Sequence, residues 1–315
     1  VSKDYIALRS DTYTGFALIR STPKSGSAED VAKAVAYGKR VKLYPLSEAH
    51  KPPETRFVDV IDTVFDATIP YSVEYFKALD RVVQTEPWLQ RDRAMIDMLK
   101  SLGIEKGKDF APDAPTTDAL ATGAREAKAW LEYKREAGFP IYFEGAHWVV
   151  PGTPEVVEGQ SDNFAKNDVY PIDARALTYS MGYVGIKHLG AGQFYLFSMR
   201  DKDGKPLDGA QAYRLTVPAK APAKQYWSAT VYDNVTHALI RDVDRFSRAS
   251  NTPGIKTNAD GSVDIYFGPT APTVGENNWI PTKAGASFEV LFRLYGPEKA
   301  LFNKTWILPD VSSSQ

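Results

Sequence analysis

The sequence predicts an α+β chain: a mixed N-terminal domain with a helical insertion, followed by an all-β sandwich of jelly-roll type. Three observations carry this reading. From Gln193 to Trp306, short segments alternate apolar and polar side chains, the period of a strand with one buried face. The dipeptides Asp203-Gly204, Asp208-Gly209 and Asp260-Gly261 tolerate positive φ and punctuate those segments as turns. Upstream, between Ser72 and Gly138, the apolar spacing becomes that of amphipathic helices. The expected divisions are an N-terminal domain over 1–138, an aromatic-rich connection over 139–192 and the sandwich over 193–315.

Taken in order, Tyr5–Arg9 and Gly15–Arg20 read as strands with nothing before them to pair with. The chain also begins Val-Ser-Lys, so the expectation is that part of the N-terminal domain lies upstream. Ser27 caps a short helix stopped by Gly38, and Val41–Leu43 reads as a buried strand. Pro52-Pro53 then breaks the chain. Ser72 caps a helix with Tyr75, Phe76, Leu79 and Val83 on one face. Glu86-Pro87-Trp88 opens the next helix, with Ile96, Leu99 and Leu102 as its stripe and Gly103 as its stop. The longest helix runs from Thr117 to Ala137 and ends at Gly138. All these helices read as packing elements.

In the sandwich, Tyr195, Phe197 and Met199 are assigned to one face of a strand, with Ser198 and Arg200 on the other. Tyr213, Leu215 and Val217 alternate with polar residues, as do Val263, Ile265 and Phe267. Phe288, Val290, Phe292 and Leu294 alternate with Glu289 and Arg293, which are assigned to the wetter face.

Composition excludes several function classes. A formal charge of −1 leaves no electrostatic footprint for nucleic acid. No run of about eighteen apolar residues exists to span a bilayer as a helix. Cysteine is absent, which removes disulfides, thiolate metal sites and a cysteine nucleophile. Four histidines without His-x-His or His-x-x-x-His spacing give no zinc site, and no metal or cofactor is assigned. No Gly-x-Ser-x-Gly elbow occurs either.

Candidate chemistry concentrates in Phe139–Leu189, an irregular stretch rich in aromatic rings and interrupted by prolines. Glu144 and Asp173 are the candidate carboxylate pair for general acid and base work. His147, beside Trp148, is a candidate base or ligand contact. Tyr142, Trp148, Tyr170, Tyr179 and, further on, Trp227 are the stacking and hydrogen-bonding set. Arg175 stands four residues before Tyr179 on one side of an expected short helix over Asp173–Tyr183. Asp201-Lys-Asp203-Gly204-Lys-Pro-Leu-Asp208-Gly209 has spaced acids but lacks the distal glutamate of a calcium loop, so it reads as a hairpin turn. The Arg241–Arg248 stretch reads as a loop that pairs its own charges.

Two stretches, YWSATVYDNVTHALIRDVDRFSRASNTPGIKTNADGSVDIYFGP and ENNWIPTKAGASFEVLFRLYGP followed by KTWILPDV, resemble the bacterial family of unknown function numbered twelve-fourteen. QTEPWLQRDRAMIDMLKSLGIEKGK and LGAGQFYLFSMRDKDGKPLDGAQAYRLTVP are similar to it as well. The resemblance implies a jelly-roll C-terminal domain behind an N-terminal partner domain numbered twelve-fifty-four. It also implies periplasmic or secreted placement, and supplies no catalytic residues.

Three functions follow as expectations. The first is an exported protein binding a small molecule or polysaccharide in an interdomain cleft. The second is a hydrolase of an envelope glycan using Glu144 and Asp173. The third is an assembly component, with an upstream N-terminal fragment or a second copy covering the N-terminal strands.

Overall fold

A computed structural model of the chain describes residues 6–15, 17–61, 63–66, 68–161, 164, 169–181, 192–240 and 243–314. The chain divides into two compact units, Val1–Asp66 with Ala78–Ala111, and Ala67–Lys77 with Pro112–Gln315.

In the first unit, Ser27 Oγ accepts from the Asp30 amide and opens α1 (Ala28–Gly38). The strands expected at Tyr5–Arg9, Gly15–Arg20 and Val41–Leu43 are not strands among their described residues; Tyr5 and Phe16 lie outside that set. A strand exists only as half of a ladder, and these segments have no ladder partner among the described residues. Leu43, expected to be buried, is 78% exposed. The Glu86 carboxylate instead ties this extended chain down, accepting from the Tyr13 and Thr14 amides at 2.7 and 3.0 Å. Glu86 closes α2 (Val73–Thr85), whose first residues belong to the second unit. The helix expected from Trp88 starts later, as a 3₁₀ turn over Gln90–Asp92, then α3 (Arg93–Met98) and a second 3₁₀ turn over Leu99–Leu102. Gly103 stops it in the left-handed region at φ 83°, as its type predicts.

The second unit holds α4 (Ala114–Ala137), α5 (Pro154–Ser161) and α6 (Ile172–Met181) together with every strand found among the described residues. Asp113 caps α4 by accepting from the Thr116 amide at 2.9 Å. Thus α4 groups with the strands, whereas the sequence reading ended the N-terminal domain at 138.

Among the described residues, eight strands form two four-stranded sheets: β1 (Gln193–Ser198), β2 (Tyr213–Val217), β3 (Ala223–Asp233), β4 (Ser247–Ala249), β5 (Val263–Gly268), β6 (Trp279–Pro281), β7 (Phe288–Pro297) and β8 (Ser312–Ser313). The first sheet, ordered β1-β7-β3-β4, is antiparallel. The second, ordered β6-β5-β2-β8, is antiparallel except for the parallel β5–β6 pair. The hairpin expected between β1 and β2 does not form, because those strands lie in different sheets. The Asp201–Gly209 loop carries the chain from one to the other.

One core joins the two sheets. Leu196, Trp227, Val231, Val290, Phe292 and Leu294 of the first meet Leu215, Val217, Ile265, Phe267 and Ile280 of the second. Phe288 bridges them, its ring 5.7 Å from Tyr213 and 5.9 Å from Phe267. Below them α7 (Lys299–Phe302) contributes Leu301. A second, smaller core lies among the helices: Leu131, Val156, Ala174 and Leu177, with Tyr195 of β1 packed against it. The first sheet is therefore covered on both faces. That corrects two strand assignments. On β1 it is Leu196 that enters the main core, while Tyr195 and Phe197 face the helices. On β7 the supposedly wet Glu289 is only 2% exposed.

Candidate functional site

Covering the outer face of a sheet with helices leaves a space wherever the helices do not reach. Here that space is a cavity of about 240 Å³. Its floor is β1, β7 and β3, through Tyr195, Phe197, Glu289, Leu291, Arg293 and Tyr232. Arg135 from the last turn of α4, Ser180 and Met181 from the end of α6, Pro151, and His237 complete the wall. The period of two along β7 is what aims residues 289, 291 and 293 at the same side.

His237 is placed by a tight turn after β3. Asp233 Oδ1 accepts from the Val235 and Thr236 amides at 3.0 and 2.7 Å, and the Asp233 carbonyl accepts from the His237 amide at 2.8 Å. His237 itself takes the left-handed conformation at φ 54°, unusual for a residue with a side chain. The reward is two partners. Nδ1 lies 3.1 Å from Glu289 Oε2, and Nε2 lies 3.0 Å from both carboxylate oxygens of Glu132 on α4. Arg135 Nη2 donates to both carboxylate oxygens of Glu289 at 3.1 and 3.2 Å. Its guanidinium also lies 5.5 Å from the Phe197 ring centre.

Burial opposes charge on His237, but its hydrogen bonds with Glu132 and Glu289 outweigh burial and raise its pKa above the ordinary value. Glu132 shows the mirror image: burial pushes its carboxyl up, and the contact with His237 brings it below the ordinary value. An imidazolium with both N–H groups donated has no lone pair to accept a proton. The arrangement holds charge in place; it does not present a general base.

The residues singled out in the sequence lie elsewhere. Glu144 sits exposed in the turn before Gly145, and Asp173 is an exposed first-turn residue of α6 paired with Lys134 at 3.6 Å. Neither lines the cavity. His147 is held by Asp310, which accepts from its amide at 2.8 Å and contacts Nδ1 at 2.9 Å. Trp148 is fully buried, donating to the Pro309 carbonyl at 2.9 Å, and Trp227 stacks on Phe292 at 5.4 Å within the same core. Both indoles are core side chains. Tyr142 packs against Phe143 and donates to the Leu301 carbonyl at 3.1 Å; burial pushes its phenol up to about 12. Arg175 lies 4.6 Å over Tyr170, and the exposed Tyr179 meets Tyr75 edge-on at 6.3 Å. Tyr183, the end of the expected helix, lies outside the described residues.

In the Asp201 loop, Asp201 is buried and Oδ1 accepts from the Asp203 and Lys205 amides, so backbone N–H groups take the place a cation would occupy. Among the described residues no cluster of three or more acids and histidines could hold a metal. Arg241 and Asp242 lie outside the described residues, while Arg245 and Arg248 donate to the Glu276 and Asn277 carbonyls.

Sequence reasoning missed Glu132, Arg135, Tyr232, His237, Glu289 and Arg293. The available signal was the pair of opposite charges on one face of the long apolar strand β7, a face that reads as solvated until α4 is laid over it.

Residues 192–299 match the model of a family described as a protein of unknown function, DUF1214. No curated protein matches the chain. A crystal structure of the VPA0106 protein from Vibrio parahaemolyticus is similar at 22% identity and a TM-score of 0.47, covering 92% of this chain and 66% of that one. An uncharacterised protein from Burkholderia cenocepacia is similar at 16% identity and a TM-score of 0.29, covering 71% of this chain and 50% of that one. The chain thus spans less than two thirds of either solved relative.

Proposed function

We propose that the protein binds a small molecule in the cavity between α4, α6 and the outer face of the first sheet. The observation that carries this reading is the composition of the wall. Phe197, Leu291, Met181 and Pro151 supply apolar surface, while Tyr195, Tyr232, Ser180 and Arg293 bring polar groups to the same space. Arg135, His237 and Glu289 add charged groups to the same wall, and a cavity that combines apolar surface with convergent polar groups is a form that small-ligand sites take. About 240 Å³ suits a small molecule rather than a polysaccharide chain.

Binding is favoured over catalysis because the titratable centre of the site, His237, spends both nitrogens on carboxylates. The hydrolase reading from Glu144 and Asp173 draws no support from an exposed turn and a surface ion pair. Two four-stranded sheets over one core support a sandwich, and the parallel β5–β6 pair departs from an all-antiparallel jelly roll. Export to the periplasm or beyond is part of the proposal on family resemblance alone.

The test is calorimetric titration with a panel of small acids, amides, alcohols and monosaccharides. At least one class should bind with one-to-one stoichiometry, and filling the cavity by Leu291→Trp, or by Ser180→Tyr from the helix end, should abolish it. Silence from every class, or binding unchanged in a folded cavity-filled variant, overturns the proposal.

A further inference from the structure

The charges in and beside the cavity are not evenly paired. Glu289 accepts from Arg135 at 3.1 Å and contacts His237 at 3.1 Å, and Glu132 contacts the other nitrogen of His237 at 3.0 Å. Two carboxylates meet two cations, so the charges of that group balance, although Arg135 Nε, like Arg293 Nε, is buried without a hydrogen-bond partner. Arg293 stands outside that group. It shares a face of β7 with Glu289, yet among the described residues no carboxylate pairs with it. Its Nη2 donates to the Tyr232 hydroxyl, and its guanidinium lies 5.9 Å from the Tyr195 ring centre and 6.0 Å from that of Tyr232. Its Nε is buried with no hydrogen-bond partner. Tyr295 is a further side-chain hydrogen-bond partner; a guanidinium held by phenols is oriented but not neutralised, and a partly buried cation in that state favours an anion in contact with it.

We propose that the cavity takes a small monocarboxylate with a short apolar body, the carboxylate on Arg293 and the body along Leu291, Phe197 and Met181. This rests on the binding function above and narrows it. The planar fork of arginine matches a carboxylate bidentately. One unpaired cation balances one negative charge, and the carboxylate of Glu289 on the same face disfavours a dianion such as a phosphate monoester.

Benzoate and hexanoate are the probes, with benzamide and hexanamide as neutral isosteres and benzylphosphonate as the dianion. At least one acid should bind more tightly than its amide and than the phosphonate, by about tenfold or more, the worth of one charged hydrogen-bonded contact. Arg293→Met should remove that preference while leaving residual binding of the apolar body. Arg293→Lys, which keeps charge without the fork, should lie between and serves if the methionine variant does not fold. Equal affinity for acid and amide, tighter binding of the phosphonate, or a preference surviving in Arg293→Met overturns the carboxylate assignment and leaves the binding function standing. Silence from these probes, with binding of a neutral class in the wider panel, overturns the assignment alone; silence throughout overturns both.

Discussion

Arg135 near the end of α4 and Glu289 on β7 are 154 residues apart in sequence and 3.1 Å apart in space, with side chains 5% and 3% exposed. The pair fixes the helix over the middle of the first sheet. It is tolerable inside the protein because neither charge is left alone: Glu289 has His237 as a second partner, and Arg135 has Met181 Sδ at 3.0 Å and the Phe197 ring.

Breaking the pair on one side strands a buried charge. Glu289→Ala should lose about 3–5 kcal/mol in urea denaturation, and Arg135→Met a similar amount. The double variant Arg135→Met/Glu289→Leu should cost far less than the sum, since no charge remains to desolvate. Additive losses would show that the two residues do not act as a pair.

The His237 cluster makes stability depend on pH with a definite sign. The folded pKa of His237 lies above its ordinary 6.5, so its contribution is complete below that value and is lost as pH rises through the folded pKa. The folded pKa of Glu132 lies below 4.5, so its contribution is complete above that value and is lost as pH falls through the folded one. The melting-temperature difference between wild type and His237→Gln should therefore be largest between about pH 4.5 and 6.5 and shrink on the alkaline side. A difference that grows with pH above 7 would contradict the geometry.

Trp148 and Tyr179 share a role in the sequence reading, and the structure separates them. Trp148→Ala should cost about 3–5 kcal/mol, as removal of a fully buried indole does. Tyr179→Ala, at a side chain 60% exposed, should stay within about 1 kcal/mol. Chemical denaturation of both variants checks the contrast.

Two glycines should respond oppositely to alanine. A Cβ on Gly209 would meet the Lys283 carbonyl oxygen at 2.2 Å, where the loop is bolted to the 283–286 turn, so Gly209→Ala should cost about 1–3 kcal/mol. Gly123, exposed in the middle of α4, has nothing within 4 Å of that position. Gly123→Ala should add about 0.5–1 kcal/mol through helix propensity. Paired thermal melts read both.

Local chemistry was legible where it acts through neighbours in sequence. Ser27 and Gly103 mark helix ends in the structure as their types demand, Gly138 ends α4 in a right-handed conformation, and the buried runs of β2, β5 and β7 are the ones that alternation picks out. The N-terminal strands failed for a reason sequence cannot supply, since an alternating segment is a strand only when another chain segment accepts its hydrogen bonds. The site failed for a related reason. Glu289 and Arg293 carry the marks of a solvated face, and nothing in FEVLFRLYGP tells which of the two faces a helix will cover.

By itself, then, the sequence determined helix caps and stops and the alternation of the core strands, because these are set by interactions spanning a few residues. Only the tertiary structure decided which charges are brought together, because Glu132 and Arg135, His237, and Glu289 come from three distant stretches. They become one cluster when α4 closes over a sheet built from the far end of the chain, and it is the loss of water there that pairs charges which the sequence alone marks as solvated.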